Sequence, residues 1–109
     1  MAGVGTLGDR GDGVTVQVEV VLPGVLAEDA GGVRRLQVGL TAGLAVRDVL
    51  DALAAGHPRL GRRLRDEAGT VRRHVNLFVD GEDVRSTGGQ DTRVRDGSTL
   101  LVLPNVSGG

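Results

Sequence analysis

Val14, Val16, Val18 and Val20 alternate with Thr15, Gln17 and Glu19, and this strict period of two is what most narrows the fold. Successive side chains of an extended chain point to opposite faces, so the run makes a strand with one apolar face. A strand of that kind needs a sheet to pair with and a second layer to cover it. Pro23-Gly24 ends the run, and the stretch to Gly31-Gly32 reads as a loop. Val33 to Leu40 reads as a second strand with Leu36, Val38 and Leu40 on one face, so the two strands pair as a hairpin.

The period then changes. Val46, Val49, Leu50 and Leu53 fall at i, i+3, i+4 and i+7, one face of a helix from about Val46 to Ala55. Gly56 is the expected stop, since glycine tolerates the left-handed conformation at a helix end. Pro58 suits the first turn of a short second helix, with Leu60 and Leu64 inward and Arg59, Arg62, Arg63 and Arg65 outward. Val75, Leu77 and Val79 alternate with Asn76, Phe78 and Asp80, giving a third strand. Asp80-Gly81 is a turn leading to a short strand near Val84. Asp96-Gly97 precedes the last strand, Thr99 to Leu103, which Pro104 closes because it has no N–H to donate.

This order implies an α+β fold of the β-grasp kind: a mixed sheet of about five strands, one main helix on one face and a short second helix. The expected division is a glycine-rich flexible arm over 1–13, the domain over 14–104, and a flexible tail over 105–109 ending in Gly108-Gly109.

Phe78 is the only aromatic residue, so the core must be packed from Val, Leu and Ala. A single domain of 109 residues built this way has little room for an enclosed cleft. The expectation is a protein that others act on, not an enzyme. With no cysteine there is no disulfide, thiolate metal site or cysteine nucleophile, which fits a cytoplasmic protein. No apolar run approaches the roughly 20 residues of a membrane span, and the glycine-rich start is unlike a signal peptide. All 13 basic side chains are arginine and none is lysine, so the N-terminus is the only amine the sequence offers as an acyl acceptor. Nine of the arginines lie in 33–73, against Asp48, Asp51, Asp66 and Glu67. With acids interleaved and no aromatics, that stretch reads as a solvated face and not as a nucleic-acid surface.

Several short patterns carry no chemistry in their context. Gly3-Val4-Gly5-Thr6-Leu7-Gly8 spells a dinucleotide-binding fingerprint with no strand before it and no helix after it. Arg10-Gly11-Asp12 and the sequon Asn105-Val106-Ser107 imply a secreted context that nothing else supports. His57 and His74 stand alone beside loops, so no metal site is expected. Ser86, Ser98 and Ser107 have no histidine and aspartate placed to activate them.

The segment VNLFVDGEDVRSTGGQDTRVRDGSTLLVLPNVSGG, Val75 to Gly109, resembles the C-terminal half of the MoaD/ThiS superfamily of sulfur carriers, and most of all its CysO-type branch. The upstream half agrees in element order. Ala45 departs from the Thr or Ser often found at the helix start, at a capping cost of about 1 kcal/mol.

The resemblance implies that Gly109 is the reactive end. A free carboxylate is a poor acyl donor; an E1-like adenylyltransferase would use ATP to convert it to an acyl-adenylate, and a sulfur donor would displace AMP to leave a thiocarboxylate. The carrier itself would bind no cofactor and no metal. Gly108 and Gly109 have no Cβ and can thread a narrow channel in a partner, with Val106 and Ser107 as the neck. The acceptor would be a sulfur-accepting synthase, a cysteine synthase in the CysO-type branch. Alternatives are the small subunit of molybdopterin synthase, or sulfur supply to thiazole or thiosugar biosynthesis. From another class come a ubiquitin-like modifier joined to lysines through Gly109, and an inert β-grasp adaptor. The free carrier is expected to be a monomer.

A partner-binding face can also be read. Thr99 to Leu103 does not alternate, so both faces of that strand should be covered. Phe78 lies on the polar parity of its own strand. Phe78, Leu101, Leu103 and Pro104 then form either a docking patch beside the tail or a small satellite core.

Overall fold

The computed structural model describes residues 15–104. Strand β1 (Val16–Val21) runs into a helical turn α1 (Gly24–Ala27) and a 3-10 turn over Glu28–Ala30. Strand β2 (Arg35–Leu40), helix α2 (Val46–Gly56) and helix α3 (Pro58–Leu64) follow. Strands β3 (Val75–Val79) and β4 (Glu82–Asp83), two further 3-10 turns and strand β5 (Thr99–Pro104) complete it. The sheet order is β2-β1-β5-β3-β4. β1 and β5 are parallel and every other pair is antiparallel. This is the mixed β-grasp sheet implied by the order of periodicities.

Strand parity builds the core. Val16, Val18 and Val20 of β1, Val38 and Leu40 of β2, Val75, Leu77 and Val79 of β3, and Leu100 and Val102 of β5 all turn to the same side. Val46, Val49, Leu50 and Leu53 of α2 close over them, and Leu60 and Leu64 of α3 extend the layer. The two helices meet at Gly61, where a Cβ would stand 2.6 Å from Ala54 Cβ. At Ala45 the helix start lacks a capping side chain. Asp48 supplies half of a capping box, its Oδ2 accepting from Ala45 N–H at 3.0 Å. Val46 N–H is satisfied by the Thr92 carbonyl at 2.9 Å.

Four expectations need correction. The stretch from Pro23 to Gly32 is not open loop: it coils enough to bury Leu26, Ala27 and Ala30, too briefly to leave a helical period in the sequence. The second strand begins at Arg35, after an exposed Val33. Gly56 belongs to α2, and the helix ends at His57 (φ −139°, ψ 79°). Pro58 disfavours helical backbone at the residue before it, so the break needs no left-handed glycine. The short strand near Val84 is Glu82–Asp83, because Val84 turns inward as the start of a 3-10 turn. The arginine face of α3 is outward as expected, with Arg59, Arg62 and Arg63 exposed, and it is paired with acids. Arg63 Nη1 and Arg59 Nε lie 3.3 and 3.7 Å from the Asp29 carboxylate, and Arg65 Nη2 lies 2.7 Å from Asp51 Oδ1. No helix among the described residues is long and apolar enough to cross a membrane.

Candidate functional site: the outer sheet face and the tail exit

The face of the sheet turned away from α2 is the place to look, because β5 is the last described element before Gly108-Gly109 in the sequence. Register fixes one row across all five strands: Arg35, Val21, Leu101, Phe78 and Asp83. Its centre, Val21, Leu101 and Phe78, is apolar and half-buried. Leu103 pairs with Asn76, and Pro104 pairs with Val75. Leu103 is 38% exposed, whereas Leu100 and Val102 on the opposite face are at 0%. Phe78, Leu101 and Leu103 thus share the outer face of β3 and β5, whereas Pro104, expected in the same patch, stands opposite buried Val75 with the parity of the inner face. Within the chain only the inner face of β5 is fully covered, and Phe78 and Leu101 are not part of the core cluster. Val106, Ser107, Gly108 and Gly109 lie outside the described residues.

Beyond Phe78 the row ends in a polar clamp that the pattern of residues did not reveal. Arg85 donates from Nη2 to Asn76 Oδ1, and from Nε and Nη2 to the two Asp83 carboxylate oxygens at 3.2 and 3.0 Å. Asp83 Oδ1 also accepts from the Arg85 backbone N–H at 2.9 Å. The guanidinium bond, with the backbone N–H and the positive charge adding to it, holds the Asp83 carboxyl below the usual carboxylate range. The same pairing raises the Arg85 guanidinium. Asn76, Asp83 and Arg85 sit within the VN…EDVR segment, so the motif was visible while its geometry was not. The clamp ties β3 to the turn after β4 where only Phe78 and Val79 are paired with that strand.

Elsewhere the polar groups serve the fold. Asp80 and Gly81 both have positive φ, 49° and 92°, in the two-residue turn between β3 and β4. Asp80 Oδ1 accepts from Thr99 N–H at 2.9 Å and anchors the start of β5. Ser98 is buried because its Oγ accepts from Arg95 N–H at 3.0 Å, and Ser86 Oγ donates to the Asp83 carbonyl. Among the described residues no three His, Asp or Glu side chains gather as metal ligands.

A five-stranded mixed sheet grasping one main helix, with an apolar outer face running into the exit strand, defines the class: a ubiquitin-like β-grasp domain. The chain belongs to the ThiS family, whose family model matches residues 20–109. It is 35% identical over 97 residues to the sulfur carrier protein CysO of Mycobacterium tuberculosis, covering 86% of this chain and all of that one. It is 37% identical over 84 residues to small archaeal modifier protein 1 of Haloferax volcanii, covering 77% and 91% of the two. Among solved structures, the Amycolatopsis orientalis BexX/CysO complex superposes with a TM-score of 0.74 at 35% identity, over 84% of this chain and 99% of that one. Sulfur carriers and ubiquitin-like modifiers are thus its relatives.

Proposed function

We propose that this protein is a sulfur carrier whose Gly109 carboxylate is adenylated by an E1-like enzyme and converted to a thiocarboxylate. The observation that carries the reading is continuity. β5 presents Leu101 and Leu103 on the outer face, and five residues after its last member the chain reaches Gly108-Gly109. Five residues span at most about 18 Å, so an enzyme resting on the Phe78–Leu101 patch could hold the terminal carboxylate in its own active site. Activation joins the carboxylate to AMP and releases pyrophosphate; attack by sulfide then expels AMP and leaves C(=O)S⁻ on Gly109. The carrier supplies the reacting group and the docking face, the enzyme supplies ATP and catalysis, and the process is cytoplasmic. Full-length similarity to a CysO protein supports a cysteine synthase as the acceptor. A molybdopterin, thiazole or thiosugar pathway would use the same tail.

Intact-mass measurement tests it. Incubation with ATP, sulfide and the E1-like enzyme encoded by the same organism should add about 16 Da at the C-terminus, one oxygen exchanged for sulfur. No such gain would overturn the carrier reading. A second reading, attachment to target lysines through Gly109, is favoured by the similarity to small archaeal modifier protein 1. It predicts higher-mass lysine conjugates in cells, lost when Gly109 is deleted.

A further inference from the structure

The 109 residues hold 13 basic side chains, all arginine, and no lysine, cysteine or tyrosine. The end of β5 is where this matters most. Pro104 pairs with Val75, and Val75 N–H donates to the Arg72 carbonyl at 3.0 Å. Leu103 pairs with Asn76, whose Oδ1 accepts from Arg85 Nη2. Arg72, Arg73 and Arg85 therefore flank the end of the strand, inside the roughly 18 Å that five tail residues span. A tail that folds back meets guanidinium groups there and no amine. Two of them are also held in place, Arg72 by its Nε bond to the Arg62 carbonyl at 2.7 Å and Arg85 by Asp83.

An acyl-adenylate is captured by the first competent nucleophile that reaches it. An amine forms the amide, expels AMP and releases a proton; a thiol forms a thioester in the same way. At about pH 8, about 0.4% of ordinary lysines are free amines, against less than about 0.003% of arginines, and the guanidinium lone pairs are delocalised. A serine or threonine hydroxyl needs a neighbouring base to compete. We propose that this protein is inert toward its own activated tail: the acyl group of Gly109 passes to a sulfur or an amine that another molecule brings, and no side chain of a second copy takes it. The α-amine is the one acceptor the sequence retains. The inference rests on the carrier reading, which generates the adenylate. It also limits the second reading, because a target lysine that has received one copy gains no new lysine from it. Copies would then add singly and not as a growing chain.

The experiment uses the full chain, the activating enzyme and ATP, read by intact mass. Wild type is first supplied with sulfide; failure to gain sulfur overturns the carrier reading and this inference with it. Sulfide is then withheld at about pH 8, so that the adenylate meets only other nucleophiles. Wild type should give no side-chain-joined product at twice the chain mass less one water. Arg34→Lys and Arg95→Lys keep the charge of exposed side chains and each introduces one amine. Both should give that product at about tenfold or more above wild type, with tandem mass spectrometry placing the bond at the substituted position. Arg95→Gln, which removes the charge without adding an amine, should behave as wild type. Dimers of the wild type joined through a side chain, at the level of the lysine variants, would overturn the proposal. So would lysine variants that load sulfur normally yet form no such product, because lysine content would then not be what limits self-capture.

Discussion

Phe78 stands directly opposite Leu101 across the antiparallel pairing of β3 and β5, on the face turned away from the helices. Val21 joins them through the parallel pairing of β1 and β5. Because neither Phe78 nor Leu101 belongs to the core cluster, removing the ring should cost the fold little. We expect Phe78→Ala to lower stability by about 1 kcal/mol or less and to weaken binding to the activating enzyme about tenfold or more. Urea unfolding and calorimetric titration read the two effects separately. Unchanged affinity with a large loss of stability would return Phe78 to the role of a satellite core residue.

The Asp83–Arg85 pairing has a sign in pH. The folded carboxyl binds its proton less readily than the unfolded one, since Arg85 stabilises the charged form. The pairing therefore contributes stability above the ordinary carboxylate range, and that contribution is lost as pH falls through the lowered folded value. In a carboxyl-detected NMR titration, Arg85→Ala should bring the Asp83 midpoint up to an ordinary carboxylate value. It should also flatten the acid limb of the stability profile. A midpoint that does not move in the variant would show the pairing to be absent in solution.

Much of this architecture could be read in advance, because period-two and period-3.6 patterns report directly on which side of an element is buried. Val16 to Val20, Val46 to Leu53 and Val75 to Val79 all behave as their spacing implies. What escaped was short or long-range. The turn at Gly24–Ala27 is shorter than one helical repeat needs to show itself. β4 is two residues long, and its pairing is cut off by the inward turn of Val84. The reach of Arg85 across to Asn76 depends on where a flexible side chain goes once two strands are already paired. The outer-face position of Phe78 was legible from its parity, on the polar side of its strand.

Gly61 sets two principles against each other. Within a helix, alanine is favoured over glycine by about 1 kcal/mol, so intrinsic preference says Gly61→Ala should stabilise α3. A Cβ there would lie 2.6 Å from Ala54 Cβ and 2.9 Å from Ala54 Cα. The obstacle includes main chain, so it cannot swing aside, and overpacking of this kind costs about 1–3 kcal/mol. We expect net destabilisation in urea unfolding, recovered in part by the double change Gly61→Ala with Ala54→Gly. A more stable single variant would mean that the two helices can separate freely.

Leu100 and Leu103 lie on one strand with opposite parity, and together they separate folding from function. Leu100 is fully buried beneath the helix layer; a charge placed there has no partner, and Leu100→Asp should cost more than about 4 kcal/mol and leave the chain unfolded. Leu103 is exposed on the outer face, beside Asn76 and one residue from the end of β5. Leu103→Asp should change stability by about 0.5 kcal/mol or less, because the side chain already meets water. Its effect should fall on transfer, slowing thiocarboxylate formation about tenfold or more by placing a charge in an apolar contact. Time-resolved intact mass on the folded variant gives the rate. If Leu103→Asp is loaded as fast as the wild type, the enzyme does not read the outer face near the exit. The tail would then be recognised by its own residues alone.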